Sequence, residues 1–345
     1  MSRNIKKIVI SVLIFLVITG IVAAGFAYKT IFANNISPLA ASHIYIKTGY
    51  TYSQVIDLLE ENNVLKDLAT FQQVSKWKKY PQKIKAGRYA IKQGMNNNEI
   101  VNMLRSGRQE AVNFTFNNIR TKEDFAKRVS QQLEMSADSL LSLLNNAEEI
   151  RKYNVNPETV LTIFIPNTYQ MWWNTNHYEF VQKMHREYEQ FWTEERKRKA
   201  ADINLSPTEI IILASIVEEE NHRKDEQSKI AGVYINRLKR GIMLQADPTI
   251  KFALKDFERK RLLYTDLEVA SPYNTYRNSG LPPGPIRIPS PTCIDKTLNY
   301  EKHNYIFMCA KEDFSGYHNF AVTSSEHAAN AKKYHNALNK NKIKQ

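Results

Sequence analysis

The chain has 345 residues, 48 Lys+Arg against 35 Asp+Glu for a formal net charge of +13, and 11% aromatic residues. That length allows two modest domains with ample core, and the charge favours an anionic partner: a wall polymer, a lipid surface or nucleic acid. Cys293 and Cys309 form no C-x-x-C, so neither a thiol redox motif nor a disulfide-built scaffold is indicated.

The strongest physical signal comes first. Ile8 to Tyr28, IVISVLIFLVITGIVAAGFAY, holds no charge. At about 1.5 Å per residue it is long enough to cross a hydrocarbon core about 30 Å thick. Arg3, Lys6 and Lys7 precede it, which predicts a cytoplasmic N-terminus. The competing reading is a cleaved signal peptide, given Ala23, Ala24, Gly25 and Ala27. Signal-peptide apolar cores run about 7–15 residues, and this run is longer. An uncleaved single-pass anchor is therefore expected, with everything from Lys29 onward outside the cytoplasmic membrane. That location leaves nucleic acid out as a partner.

Residues 30–42 read as a linker. Ile44 and Ile46 alternate as a short strand, Thr51 and Gln54 form a capping box, and Val55, Ile56, Leu58 and Leu59 give an amphipathic helix. A further apolar turn surrounds Phe71, Val74 and Trp77, KAGRYAI (85–91) is turn then strand, and Asn96 caps a helix that ends at Gly107. The expected divisions are 1–29 for the tip and anchor, 30–42 for the linker, 43–110 for a small subdomain and 111–345 for a larger one.

In the second domain Val112, Phe114 and Phe116 alternate as a strand. Thr121 caps a helix with Phe125, Val129 and Leu133; Ser136 opens another with Leu140, Leu141 and Leu144. FIPNTYQMWW (164–173) exposes Trp172 and Trp173 either to stack on sugars or to serve as rim aromatics. A long polar helix carries Phe180, Met184, Tyr188 and Phe191. Strands and helices follow one another without a regular βα repeat, so the fold class is α+β.

The stretch from Ser206 to Pro248 organises the rest. Ser206 is an N-cap, Pro207 takes the first helical position and Glu209 closes a capping box. Ile210, Leu213, Ala214 and Val217 recur at helical spacing. Glu218, Glu219 and Glu220 then occupy the helix C-terminus, where positive charge is favoured. At about 100° per residue, Glu219 is expected to face water, with Glu218 and Glu220 on the two flanks of the apolar stripe. A carboxyl against an apolar wall at a negative helix end keeps its proton longer, as a general acid requires. The bland alternative is a solvated acidic cluster.

A second amphipathic helix with Ile230, Val233 and Tyr234 ends at Gly241, with Asn236 and Arg237 beside its apolar face. Gln245 and Asp247 follow in a loop fixed by Pro248. Residues 271–289 pack five prolines, two glycines and two tyrosines into a rigid loop presenting Tyr273, Asn274 and Tyr276, suited to oligosaccharide binding or to wall-building. Tyr305, Phe307 and Cys309 make a strand, HNFAV (318–322) another, and Ser324 starts a terminal helix.

Other patterns fail on context. Ser75–Lys78 fits S-x-x-K and Lys47–Gly49 fits K-T-G, but in the wrong order and without S-D-N. His185-Arg186-Glu187 has no P-C-x-x-C downstream. With no H-E-x-x-H, P-loop or G-x-G-x-x-G, neither a metal site nor a cofactor is expected.

Three blocks, ASIVEEE (214–220), KIAGVYINRLKRGIMLQADPTI (229–250) and SPYNTYRNSGLPPGPI (271–286), resemble in order and spacing the signature blocks of the endolytic murein transglycosylases, the YceG-like family. The resemblance covers most of the chain beyond the N-terminal segment. It implies a lytic transglycosylase that cuts the MurNAc-β-1,4-GlcNAc bond within nascent peptidoglycan strands, leaves 1,6-anhydro ends and so ends strand elongation. It makes the second glutamate of an E-x-E, Glu220, the catalytic residue. The family's usual Glu-Lys-Glu is Glu218-Glu219-Glu220 here, and its F-x-P-D-T-Y has Asn167 for aspartate. Glu218, Asn236, Gln245, Asp247, Tyr273, Asn274, Tyr276, His318 and Asn319 become substrate-contact candidates. Residues 43–110 resemble the LysM-like region that precedes the catalytic part in this family. The implied partners are peptidoglycan strands, the membrane through one N-terminal helix, and peptidoglycan synthases. A hydrolytic muramidase and a non-catalytic glycan-binding scaffold stay open as alternatives.

Overall fold

A computed structural model describes residues 3–340 apart from 222, 260 and 261. Residues 1 and 2 of the expected cytoplasmic tip, and 341–345 of the expected catalytic domain, lie outside the described residues. The chain divides into two compact units, one holding residues 1–114, 132–134 and 169–175, the other 115–131, 135–168 and 176–345. The architecture is α+β, with three two-stranded sheets among the described residues.

In the first unit α1 (Arg3–Phe32) is followed by β1 (His43–Ile46), α2 (Tyr52–Glu61), α3 (Leu68–Trp77), β2 (Gly87–Ala90), α4 (Asn97–Ser106) and β3 (Val112–Thr115). β1 and β2 are antiparallel, with His43 opposite Ala90 and Ile46 opposite Gly87. The caps stand where the sequence put them: Thr51 with Gln54 on α2, Asn96 with Glu99 on α4, and Gly107 in the left-handed region (φ 74°) closing α4. The core gathers Ile36, Ile44, Ile46, Leu59, Phe71, Tyr80, Tyr89 and Leu104. Trp77 departs from expectation. It is 53% exposed at the end of α3, while Val74 and Phe71, one and two turns earlier, are buried.

Asn4–Phe32 is the one described helix long and apolar enough on its own to cross a membrane, with a mean hydropathy of 2.8. Its last turn is not free. The Asn97 amide donates to the Thr30 carbonyl (2.9 Å), Asn35 donates to Asn97 Oδ1 (2.7 Å), and the Asp67 N–H donates to Asn35 Oδ1 (2.8 Å). Residues expected as linker are thereby built into the unit, with Ile36 fully buried and bridged to Leu65. The backbone here bonds within the unit instead of to water: the Asn35 N–H donates to the Met95 carbonyl and the Ser37 N–H to the Val64 carbonyl, both at 3.0 Å.

In the second unit come α5 (Lys122–Ser130), α6 (Ala137–Asn145), α7 (Ala147–Ile150), α8 (His177–Phe191), α9 (Glu194–Asp202), α10 (Pro207–Glu220), α11 (Gln227–Lys239), α12 (Asp247–Leu254), α13 (Pro291–Leu298), β5 (Phe307–Ala310), β6 (His318–Ala321) and α14 (Ser324–Lys340). β4 (Thr168–Met171), all but its first residue in the first unit, pairs there with β3. β5 and β6 are antiparallel, with Phe307 opposite Ala321 and Ala310 opposite His318. α10 is the axis: Ile210 to Val217 are all buried, and α9, α11, α12 and α13 touch it. Residues 271–289 hold no helix or strand, as their prolines require.

Candidate active site

Local chemistry fixes where α10 starts. Ser206 Oγ accepts from the Glu209 N–H (3.3 Å), and the Glu209 carboxylate accepts from the Ser206 N–H (2.8 Å). Fourteen residues later the helix delivers three carboxylates to its far end, and their partners separate them.

Glu218 accepts from Ser290 N–H (2.8 Å) and Ser290 Oγ (2.6 Å). Ser290 is the N-cap of α13, so this carboxylate sits at a positive helix end, a favourable place. Glu219 accepts from Arg120 Nε (2.8 Å) and Nη2 (3.1 Å) and from Arg287 Nη1 (3.0 Å). Its side chain is only 15% exposed. The expectation that Glu219 faces water is therefore wrong. Ile211, Ile212 and Ile216 fill the faces that the apolar stripe left over, so α10 has no solvent face at all, and an isolated stripe does not describe a helix buried on every side.

Glu220, the last residue of α10, lines a cavity of about 390 Å³. Tyr234 from α11 donates its hydroxyl to Glu220 Oε2 at 3.0 Å. The residue keeps partial solvent contact through the cavity, yet protein packed around the carboxyl desolvates it. That desolvation, reinforced by the negative charge of Asp247, pushes the carboxyl up to about 7, against the opposing pull of His318, Tyr234 and Lys251. The proton is thus held near neutrality, in reach of the cavity.

The cavity wall is polar and braced. Tyr276 donates to Asp247 Oδ1 at 2.5 Å; burial, then the Asp247 charge, raises that phenol well above its usual range. Asp247 opens α12 just ahead of Pro248 instead of lying in a loop, because proline is preorganised for a first helical turn. His318, at the start of β6, pairs through Nδ1 with Glu226 Oε2 (2.7 Å), while Glu226 Oε1 accepts the His318 N–H (3.0 Å). Burial opposes ionisation of Glu226, but these bonds from His318 outweigh it and hold the carboxyl below its usual range. Gln245 has φ of 51°, a left-handed conformation costing a non-glycine residue about 1–2 kcal/mol. It is held there by its N–H to the Thr275 carbonyl (3.0 Å) and by Arg237 Nη1 to Oε1 (3.2 Å).

Among the candidates, Gln245, Asp247, Tyr276 and His318 join Glu220 in this cavity. The others do not line it. Asn236 donates to the His303 and Tyr305 carbonyls (2.7 and 2.9 Å). Asn274 is fully buried and donates to the Leu267 and Val269 carbonyls, both at 2.9 Å. Tyr273 packs on Phe252, and Asn319 donates to Glu312 (2.8 Å). Trp172 and Trp173 belong to the other compact unit, where Trp173 packs edge-on against Tyr45.

Sequence reasoning missed three site residues. Tyr234 reads as an ordinary apolar-face aromatic, and only its hydroxyl, which a buried tyrosine must satisfy, could have flagged it. Glu226 stands in a run of charges, HRKDE, that looks solvated. Arg237 is 7% exposed and donates to the Met243, Leu244 and Ile306 carbonyls (3.0, 2.9 and 2.6 Å), a role no spacing reveals.

A neutral carboxylic acid opening on a polar cavity, with an anionic carboxylate and an oriented imidazole beside it, can protonate a leaving oxygen and meet developing positive charge. Known proteins bear on which reaction that serves. The chain is 29% identical over 315 residues to the endolytic murein transglycosylase of Bacillus subtilis, covering 86% of each. It is 25% identical to that of Streptococcus pneumoniae D39, covering 89% of this chain and 61% of that protein. A crystal structure of a yceG-like protein from Listeria monocytogenes aligns with a TM-score of 0.54 at 26% identity, over 83% of this chain and 97% of that one. The sequence profile of the YceG-like family matches residues 44–333, and on that extent the chain belongs to the YceG-like family.

Proposed function

We propose that the chain is a lytic transglycosylase that cuts the β-1,4 bond between N-acetylmuramic acid and N-acetylglucosamine inside a peptidoglycan strand. The observation that carries this reading is Glu220, a carboxyl whose proton is retained to about pH 7 in a polar cavity; the names borne by its relatives support the substrate. Glu220 gives its proton to the glycosidic oxygen as the C1–O4 bond breaks. The resulting carboxylate takes the proton of the C6 hydroxyl as O6 bonds to C1, which closes the 1,6-anhydro ring and restores the acid. Tyr234 holds Oε2 in place, and the Asp247 charge both raises the acid's proton affinity and offsets the oxocarbenium charge.

Asp247 also favours a second reading. Two carboxylates in one cavity are the equipment of a hydrolytic glycosidase, in which one of them activates water. Mass spectrometry of digested strands separates the two: anhydro ends lighter by one water are expected as the main product, and reducing muramic-acid ends would assign a muramidase.

The anchor reading puts α1 across the cytoplasmic membrane with Arg3, Lys6 and Lys7 inside. Cysteines introduced after residue 40 of the full chain are then expected to react with an impermeant maleimide from the outer face. Labelling only after the cytoplasm is opened would reverse this topology.

A further inference from the structure

Beyond Asp247 the exposed side of α12 continues past the catalytic cavity. Asp247 and Lys251 are spaced i, i+4, so they fall on one face of the helix, about 6 Å apart along the axis, and Lys255 follows as its left-handed C-cap (φ 54°), just past the last helical residue. Each opens on a different cavity. Asp247 lines the one that holds Glu220. Lys251 lines a second of about 170 Å³, with Arg120, Glu219 and Pro248. Lys255 lines a third of about 430 Å³, with Lys122 and Tyr273. Arg120, Phe252 and Phe257 form walls common to the second and third, and Lys251 is near enough to the first for its charge to act on Glu220. The three cavities thus follow one another along α12 and its C-terminal cap.

The charges along this path are unevenly answered. Glu219 is neutralised by Arg120 and Arg287, and Lys122 donates to Asn145 and to the Pro157 carbonyl (3.1 Å). Glu123 and Glu158 are exposed at the rim of the third cavity. Lys251, half-buried, and Lys255 have no ion pair among the described residues. Lys251, partly desolvated, is an ammonium whose burial is unfavourable until an anion supplies a counter-charge, and Lys255 is exposed and open to one.

We propose that the Lys251–Lys255 side of α12 is a subsite for the carboxylates of the peptides carried by muramic acid, so that the enzyme reads peptide-bearing strands rather than bare glycan. This rests on the reading of the chain as a peptidoglycan enzyme. A glycan strand alternates unsubstituted and peptide-bearing sugars. With the scissile bond at Glu220, the next peptide-bearing sugar runs along the α12 face, and its carboxylate meets the lysines. Phe252 and Phe257 offer apolar surface to the peptide side chains.

The test is calorimetric binding to the full-length chain in detergent, carrying Glu220→Gln so that nothing is cut. The probes are soluble glycan fragments bearing stem peptides and the same fragments stripped by an amidase. Peptide-bearing fragments are expected to bind more tightly, with an advantage that shrinks as salt rises. Lys255→Glu is expected to weaken them about five- to tenfold and to leave stripped fragments unchanged. Equal binding of the two fragments, or an equal loss on both in Lys255→Glu, overturns the proposal. Failure of the underlying reading shows elsewhere: the chain with Glu220 intact would bind both fragments and cut neither.

Discussion

Replacing Glu220 with glutamine is expected to lower turnover on glycan strands by about 10²–10⁴-fold, the usual worth of a general acid–base group, while glycan binding persists. The amide still accepts the Tyr234 hydroxyl but has no proton to give and cannot take one back. Glu218→Gln and Glu219→Gln carry the contrast. Their carboxylates are committed to Ser290 and to Arg120 with Arg287, so both variants are expected to lose stability before they lose chemistry. Turnover of the three variants on one strand preparation decides the matter, and an active Glu220→Gln removes this cavity as the active site.

The same substitution has a pH signature. Because the acid form is the competent one, wild-type activity is expected to fall as pH rises through about 7. Asp247→Asn removes the charge that adds to this shift and is expected to move the alkaline limit downward. Stability follows the same sign. The folded carboxyl holds its proton to about 7, while the unfolded one releases it near 4.3. Between those values the native state binds more protons, so stability contributed by this group is present at low pH and lost as pH rises. Glu220→Gln is therefore expected to melt higher than wild type at pH 8 and no differently at pH 4. An alkaline limit that stays put in Asp247→Asn would mean another group sets it.

Replacing Arg287 with alanine is expected to cost about 3 kcal/mol, the low end for breaking a buried ion pair. Arg287 is 8% exposed and joins three segments. Its Nη1 donates to Glu219 (3.0 Å), its Nη2 to Asn118 (3.1 Å), and its Nε lies 3.5 Å from Glu218. Removing it leaves two carboxylates at a helix C-terminus, with the backbone dipole adding to their repulsion. Glu218 and Glu219 keep Ser290 and Arg120, which is why the larger values are not expected. Thermal melts of the full chain in detergent, with Arg287→Lys as the partial rescue, measure this. A loss under about 0.5 kcal/mol, the range of an unremarkable surface change, would show that Arg120 and Ser290 alone hold the end of α10.

What the sequence determined by itself was local. Caps are written in short side chains that bond to backbone three residues away, so Ser206 with Glu209, Thr51 with Gln54, and Asn96 before a closing Gly107 marked helices that form where expected. The charge-free run Ile8–Tyr28 marked α1 by composition alone. The three motif blocks brought Glu220, Gln245, Asp247 and Tyr276 forward together, and the resemblance added His318 from outside them.

Only the tertiary structure decided the surroundings of each of the three carboxyls and which one opens on the cavity. Glu218, Glu219 and Glu220 are consecutive and chemically alike, and α10 is apolar on every side, so helical phase carried no information about which faced water. Their fates are set by residues far away in the chain: Ser290 for Glu218, Arg120 and Arg287 for Glu219, and Tyr234 with the desolvated cavity beside Asp247 for Glu220. The same long-range packing consumed Asn236 and Asn274 as ties for backbone carbonyls. A buried amide must satisfy its hydrogen bonds wherever it lies, and no periodicity in the sequence records which distant carbonyl will do so.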